Sequence, residues 1–345
     1  MASQLQWDGP DRETSNSRDG FMKKIKLHLS FLALCCASFA ISVNAAFALD
    51  YPNKPIHIIV SYSPGGPADI RARLIGQKLS ERLGQEFVVE NKPGADGALG
   101  AERASRATPD GYTLFLGEAG VMAITPTLYK HVNYDPVKDF APVTQLTASP
   151  LVLFVNTSLP AKTLKELIDV VKANPGKLNF ASATSQLYLT GELFKLRTGT
   201  NMVHIPYKGS APAMASVISG ETSMFFNSII SPLPQVKAGR LRAIAICDDK
   251  RSRSLPDVPT TSESGLNFIA ITWSGVLAPP GTPKGIIDRL RAEIASILKD
   301  PGVKDRFSRL GDEVIGNTPQ EFAEFIKAEY AKYFNVIKEA NVPRI

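Results

Sequence analysis

The sequence predicts an α/β protein of two doubly wound domains, the first interrupted by insertion of the second. Three observations lead there. Apolar runs of strand length alternate with helical patterns through nearly the whole chain, the signature of βαβ units and parallel sheets. The alternation falls into two series, with crossovers near Pro150 and near Trp273. Three strand-to-helix junctions are rich in Gly or Ser, the composition of loops at the carboxyl edge of a sheet.

The first series reads as a strand over 56–61, a helix over 68–83, a strand over 87–90, a helix over 101–107 and a strand over 112–116. The second has strands over 151–155, 178–183, 202–206, 223–226 and 241–247. Its helices are expected over 164–172, 187–196, 211–218 and 232–238. A charged, Pro/Ser-rich linker covers 248–265, before a strand over 269–278 and helices over 284–298, 303–310 and 319–340. The expected domains are therefore 49–150 with 273–345, and 151–272.

The N-terminal segment belongs to neither domain. Lys23, Lys24 and Lys26 precede an apolar run over 29–43, shorter than the roughly 20 residues that span a bilayer. The run ends in Ala46-Phe47-Ala48, which fits the small-x-small rule of a cleaved secretory signal. Cleavage is expected after Ala48, with export to the periplasm. Leu34 before Cys35 does not suit a lipoprotein signal, and Met22 is a second candidate start. Removing 48 of the 345 residues leaves 297, enough for two ordinary domains. Cys35 and Cys36 leave with the signal, so Cys247 has no internal disulfide partner and is expected as a small buried hydrophobe.

The formal net charge is +6, with the positives scattered along amphipathic helices. No basic stripe is interleaved with aromatics and no finger or helix-turn-helix spacing occurs, which argues against nucleic acid. A mildly cationic surface favours small anions.

The loops with chemical potential are Ser61 to Asp69, containing Ser63, Gly65 and Gly66; Glu90 to Gly97, containing Ala95; and Ala181 to Gln186, containing Ala183, Thr184 and Ser185. Glycines let the backbone approach a ligand, and the free N–H groups of a following helix favour an anion. Two such loops in one domain and one in the other suggest a shared cleft. Gly94-x-x-Gly97-x-x-Gly100 is not the dinucleotide spacing. His57, His131 and His204 form no metal motif. No Gly-x-Ser-x-Gly elbow is present. Binding without catalysis, cofactor or metal is the expectation. Asn227 beyond a strand end and Trp273 at the second crossover are candidate cleft residues, with Tyr62, Tyr188 and Phe226 as further aromatics.

Taken in order, the segments resemble the solute-binding proteins of tripartite tricarboxylate transporters, the Bug or TctC-like family. The resemblance covers nearly all of the chain after the signal. It rests on Ser63-Pro64-Gly65-Gly66-Pro67-x-Asp69, Val89-Glu90-Asn91-Lys92-Pro93-Gly94-x-x-Gly97, Pro109-Asp110-Gly111-Tyr112-Thr113-Leu114 and Tyr134-Asp135-Pro136. Gly191-Glu192-Leu193-Phe194, Leu255-Pro256-Asp257-Val258-Pro259-Thr260 and Leu277-Ala278-Pro279-Pro280-Gly281-Thr282-Pro283 extend it. The resemblance implies a type II periplasmic-binding (Venus-flytrap) fold with a hinge. It further implies capture of a small carboxylate on backbone amides and handover to a membrane permease; a monomer is expected. By matching position it assigns Ser63, Gly65, Gly66, Asp69, Ala95, Gly97, Gly117, Glu118, Ala119, Ala183, Thr184 and Ser185 to the ligand. Three positions depart from the family: the loop after Ala183 is short, Asn227 replaces a frequent Asp, and Ser274 replaces a bulkier residue. The last two point to a roomier, less acidic pocket for a dicarboxylic or aromatic acid. A sensor component with the same site and a different docking partner is the alternative. An ester hydrolase would need a cleft Ser with a His within hydrogen-bond reach.

Overall fold

The computed structural model describes residues 51–207 and 209–344. The expectations for the signal, its cleavage after Ala48, Met22 and the first two cysteines lie outside the described residues. The first six strands and helices are β1 (Ile56–Val60), α1 (Pro67–Leu83), β2 (Phe87–Asn91), α2 (Ala98–Ser105), β3 (Thr113–Glu118) and a π-helical turn (Gly120–Ile124) that runs into α3 (Thr125–Leu128). β4 (Ala141–Pro150) then leads through Leu151 alone into β5 (Val152–Asn156). The second series continues with α4 (Leu164–Ala173), β6 (Asn179–Ser182), α5 (Ser185–Thr198), β7 (Val203–Pro206), α6 (Ser210–Ser219), β8 (Met224–Asn227), α7 (Leu233–Lys237) and β9 (Leu241–Ile246). The chain returns as β10 (Ile271–Ala278), α8 (Lys284–Ile297), α9 (Pro301–Arg309), β11 (Glu313–Val314) and α10 (Pro319–Glu339).

Local chemistry accounts for the helix ends. Thr163 with Glu166, and Thr318 with Glu321, form reciprocal capping boxes at α4 and α10. Pro67 opens α1, and Gly84 closes it in the left-handed conformation.

Two sheets result, with strand orders β11-β4-β10-β3-β1-β2 and β7-β6-β8-β5-β9. Each sheet with its helices is called a lobe below. Both sheets are mixed, which corrects the all-parallel expectation. β1 pairs in parallel with β2 and β3, and β6 with β7 and β8. β10 runs antiparallel to β3 and β4, and β5 antiparallel to β8 and β9. The reason is connectivity. Parallel neighbours need a long crossover, but β4 passes straight from one sheet to the other and β10 enters against it.

β4 is the element that hydrophobic periodicity does not reveal. Its interior positions Thr144, Gln145, Thr147 and Ser149 are polar and buried. Each finds a partner only in the folded chain. Thr144 Oγ1 donates to Asn317 O at 2.8 Å, and Thr147 and Ser274 hydroxyls lie 2.8 Å apart.

Apolar packing is not partitioned cleanly between the sheets. Phe322 and Ile326 of α10 pack with Trp273, Leu277 and Phe115 in the first lobe. Tyr333, Val336 and Ile337 of the same helix join a cluster with Leu153, Phe180 and Phe194 of the second, together with Ala123, Ile124 and Leu128. α10 thus straps both lobes. Cys247 is wholly buried, in keeping with its reading as a small hydrophobe, and forms no disulfide among the described residues.

Candidate functional site

Parallel pairing brings three strand ends of the first sheet to one edge, since Val60 is opposite both Asn91 and Leu116. In the second sheet, Ser182 opposite Pro206 and Ala181 opposite Phe225 define the matching edge with Asn227. The two edges face each other, because Ser185 Oγ donates to Asp96 Oδ2 at 3.0 Å across the lobes.

In the first loop Ser63, Pro64 and Gly65 are exposed. Gly65 has φ +80° and its N–H donates to Asp69 Oδ2 at 2.9 Å. Asp69 is buried, and burial alone would raise its pKa. Arg73, with Nε 3.0 Å from Oδ2, and the Gly65 amide outweigh this and hold the carboxyl below its ordinary range. Asp69 therefore braces the loop. Gly66 has φ −79°, and an added Cβ would meet only Ser63 O, at 3.5 Å, so glycine is not required there by backbone conformation. The left-handed residue is Gly65, and its amide is already engaged within the loop.

The second loop has four successive positive φ values: 139° at Gly94, 48° at Ala95, 51° at Asp96 and 92° at Gly97. For Ala95 and Asp96 that conformation costs on the order of 1 kcal/mol each. The Gly94-x-x-Gly97-x-x-Gly100 spacing has a packing origin. A Cβ at Gly100 would fall 2.6 Å from Ser61 Oγ, and one at Gly97 3.1 Å from Ser61 Cβ, so α2 can approach the end of β1 only through glycine.

At the end of β3, only Glu118 of the expected trio keeps a partly exposed side chain. Ala119 is wholly buried, and a Cβ at Gly117 would lie 2.4 Å from Leu277 Cδ1. Glu118 Oε1 accepts from Arg71 Nη1 at 2.9 Å. Arg71 also grips Asp312, with Nε 2.7 Å from Oδ2 and Nη2 2.8 Å from Oδ1. Ser149 Oγ donates to the same Asp312 at 2.7 Å. Burial raises the Glu118 pKa more than Arg71 lowers it. Arg71, by contrast, is held above its ordinary range, because its two carboxylates outweigh the burial that opposes charge.

In the third loop Thr184 caps α5 by accepting from Leu187 N, Ala183 is half-buried, and Ser185 is the residue joined to Asp96. Asn227 is buried. Its Oδ1 accepts from Ser228 N at 2.9 Å, and its Nδ2 has no hydrogen-bond partner among the described residues. Trp273 was expected at a cleft wall. Its ring is 1% exposed and packs edge-on to Phe322 and Phe325 at 5.7 and 5.3 Å, so it belongs to the core of the first lobe. The reason is strand alternation, which turns Trp273 to the face covered by α10. Phe226 is likewise core, and Tyr62 stays half-buried.

Cations at the loops are occupied. Lys92 lies 3.1 Å from Glu90, which also meets His57 at 2.6 Å. Ser182 Oγ lies 2.7 Å from His204 Nε2, so a serine and a histidine do approach each other. His204 is stacked on Tyr188 at 4.2 Å, and its pKa is lowered to about 4 by burial and by Lys195. That is far below the value useful to a general base near neutrality, and among the described residues its other ring nitrogen has no hydrogen bond to a carboxylate. Among the described residues no group of three His, Cys, Asp or Glu could hold a metal. No helix there is long and apolar enough to cross a membrane. A cavity of about 490 Å³ beside the β4–β5 crossover is lined by Pro150, Ile229, Arg253, Lys304 and Gly311. It shares no residue with the three loops, its one buried charge, Asp312, is already held by Arg71 and Ser149, and its other charged side chains are exposed, so the site is placed at the loops.

Asp96, Arg71, Asp312 and Ser149 were not singled out by sequence. Asp69 and Arg73 carry an i,i+4 signal. Arg71 and Asp312 are 241 positions apart, and nothing local pairs them.

The profile described as "Tripartite tricarboxylate transporter family receptor" matches residues 71–342. This chain belongs to that family. BugT of Bordetella pertussis is 36% identical over 293 residues, 84% of this chain and 90% of BugT. An R. palustris protein solved with adipate superposes with a TM-score of 0.74 at 32% identity, over 86% of this chain and all of that one. MatC of Rhodopseudomonas palustris, solved with bound malate, gives 0.70 at 32% identity, over 83% of this chain and all of MatC. The two mixed α/β lobes are thus the type II periplasmic-binding fold, and the receptor binds a solute and is not an enzyme.

Proposed function

We propose that this receptor captures a small dicarboxylate between its lobes, in the periplasm, and delivers it to a tripartite-type permease. The observation that carries the ligand class is the buried, unpartnered Nδ2 of Asn227 at the cleft edge of β8. A buried amide donor without an acceptor is costly unless a ligand supplies one. Asn in place of the family's frequent Asp provides that donor and removes a charge that would repel an anion. The paired state of Lys92 and Arg73 supports recognition by neutral donors over free cations. That relatives were solved with adipate and malate agrees in kind. Export rests on Lys23 to Lys26 and Ala46-Phe47-Ala48, and a periplasmic product beginning at Leu49 would verify it.

Calorimetry with adipate, malate, citrate and benzoate tests the ligand class. A dicarboxylate is expected to bind best, and Asn227→Leu to lose about 1–3 kcal/mol of that affinity. Preferential binding of a monocarboxylate, or undiminished affinity in Asn227→Leu, would contradict the reading.

A further inference from the structure

Asp96 is the residue whose geometry the binding reading leaves unused. It keeps a left-handed backbone although glycine stands on either side of the Ala95-Asp96 pair. Its own carbonyl accepts from Thr125 Oγ1 at 2.9 Å, which fixes the loop from beneath. Its carboxylate reaches across the cleft to Ser185, the first residue of a 14-residue helix whose free N–H groups favour a negative charge. The neighbouring Gln186 donates through Nε2 to Ile271 O at 2.9 Å, on the strand that returns to the first lobe. The first turn of α5 therefore holds the opposite lobe at two points.

We infer that Asp96 and Ser185 form a latch that defines the closed arrangement of the lobes. Asp96 is then a positioning residue, acting on bound solute through the lobes without touching it, and Ser185 serves the latch and not the ligand. Besides the Gln186–Ile271 hydrogen bond and the backbone bonds at the crossover, the lobes meet through apolar contacts, such as Ile229 and Ile230 against Gly311 and the strap made by α10. Apolar packing is non-directional and tolerates sliding. A hydrogen bond to a carboxylate is directional, so it selects one closed geometry. This explains why a strained conformation is kept at Asp96: relaxing the backbone would swing the carboxylate away from Ser185.

The inference rests on the reading that solute enters by separation of the lobes, and its test works with and without solute. Spin labels on Leu99→Cys and Leu196→Cys, exposed positions on α2 and α5, report the distance between lobes in the full chain with Cys35 and Cys36 replaced by serine. Cys247 is buried and stays unlabelled. Asp96→Ala and Ser185→Ala are each expected to lower the closed-to-open ratio about tenfold without solute, and to speed adipate release by a similar factor. The double variant should be no worse than either single one, since both remove the same bond. Asp96→Asn should keep most of the closed population, because its amide oxygen still accepts from Ser185. Unchanged distances, or additive effects of the two substitutions, would overturn the latch. Tighter adipate binding by Asp96→Ala would also overturn it, making Asp96 a placeholder for the ligand's carboxylate. If the wild type binds none of the carboxylates, the ligand class fails, while the solute-free distances still decide the latch.

Discussion

Replacing Arg71 with Met would expose how much of the fold hangs on one buried ion network. The substitution keeps the length and apolar stem of the side chain and removes three charge-assisted hydrogen bonds, of 2.7, 2.8 and 2.9 Å. Two carboxylates lose their counter-ion. The Asp312 side chain is 1% exposed and that of Glu118 15%, so water cannot take over at the first and only partly at the second. Breaking a buried pair in this way costs about 3–5 kcal/mol, which for a protein of this size lowers the melting temperature by roughly 5–10 °C at pH 7. The pH dependence has a definite sign. An unpaired buried carboxylate has a folded pKa above its unfolded value, so its penalty is absent below the unfolded pKa and grows as pH rises through the folded one. The variant should therefore recover toward the wild type between pH 7 and 5. Adding Asp312→Leu should restore much of the loss at pH 7, because the more deeply buried charge goes with its partner. Calorimetric melting of the three proteins at both pH values is the assay. A loss under about 1 kcal/mol at pH 7, or a deficit that deepens on acidification, would refute the reasoning.

Two further outcomes follow from local geometry. Gly65→Ala should destabilise by about 1 kcal/mol, because φ is +80° there. Gly66→Ala, at φ −79° with no atom nearer than 3.5 Å to the new Cβ, should be nearly neutral. Melting curves separate the two, and the reverse order would mean that the loop has a different backbone. His204 should titrate near pH 4 by NMR, its folded pKa lying below the unfolded value. The wild type accordingly loses stability as pH falls from about 6.5 toward 4, where only the unfolded imidazole takes a proton. His204→Gln should flatten that part of the stability curve, and an observed midpoint of 6 or higher would exclude a buried, neutral ring.

The alternation of apolar runs and helical patterns was enough to predict the α/β class and nearly every helix, because burial of one helix face or of a short strand is written in adjacent residues. Gly65, Gly66 and Ala95 were legible as loop residues for the same reason: turn chemistry is local. What only the tertiary structure decided involves partners distant in the chain. β4 was hidden because Thr144, Gln145, Thr147 and Ser149 look like surface until Asn317, Ser274 and Asp312 satisfy them inside. The mixed strand directions follow from where the chain crosses between sheets, which no periodicity encodes. Trp273 lies at the second crossover, yet packing against Phe322 and Phe325 of α10 turned it into the core. The family resemblance assigns Glu118 to the ligand, and only the fold ties it to Arg71 and, through Arg71, to Asp312. Asp96 stood unremarked between two named neighbours until the lobes brought Ser185 within 3.0 Å. Local sequence determines which backbone can turn and which face is apolar; the reach of a side chain across a cleft is set by the packing of the whole chain.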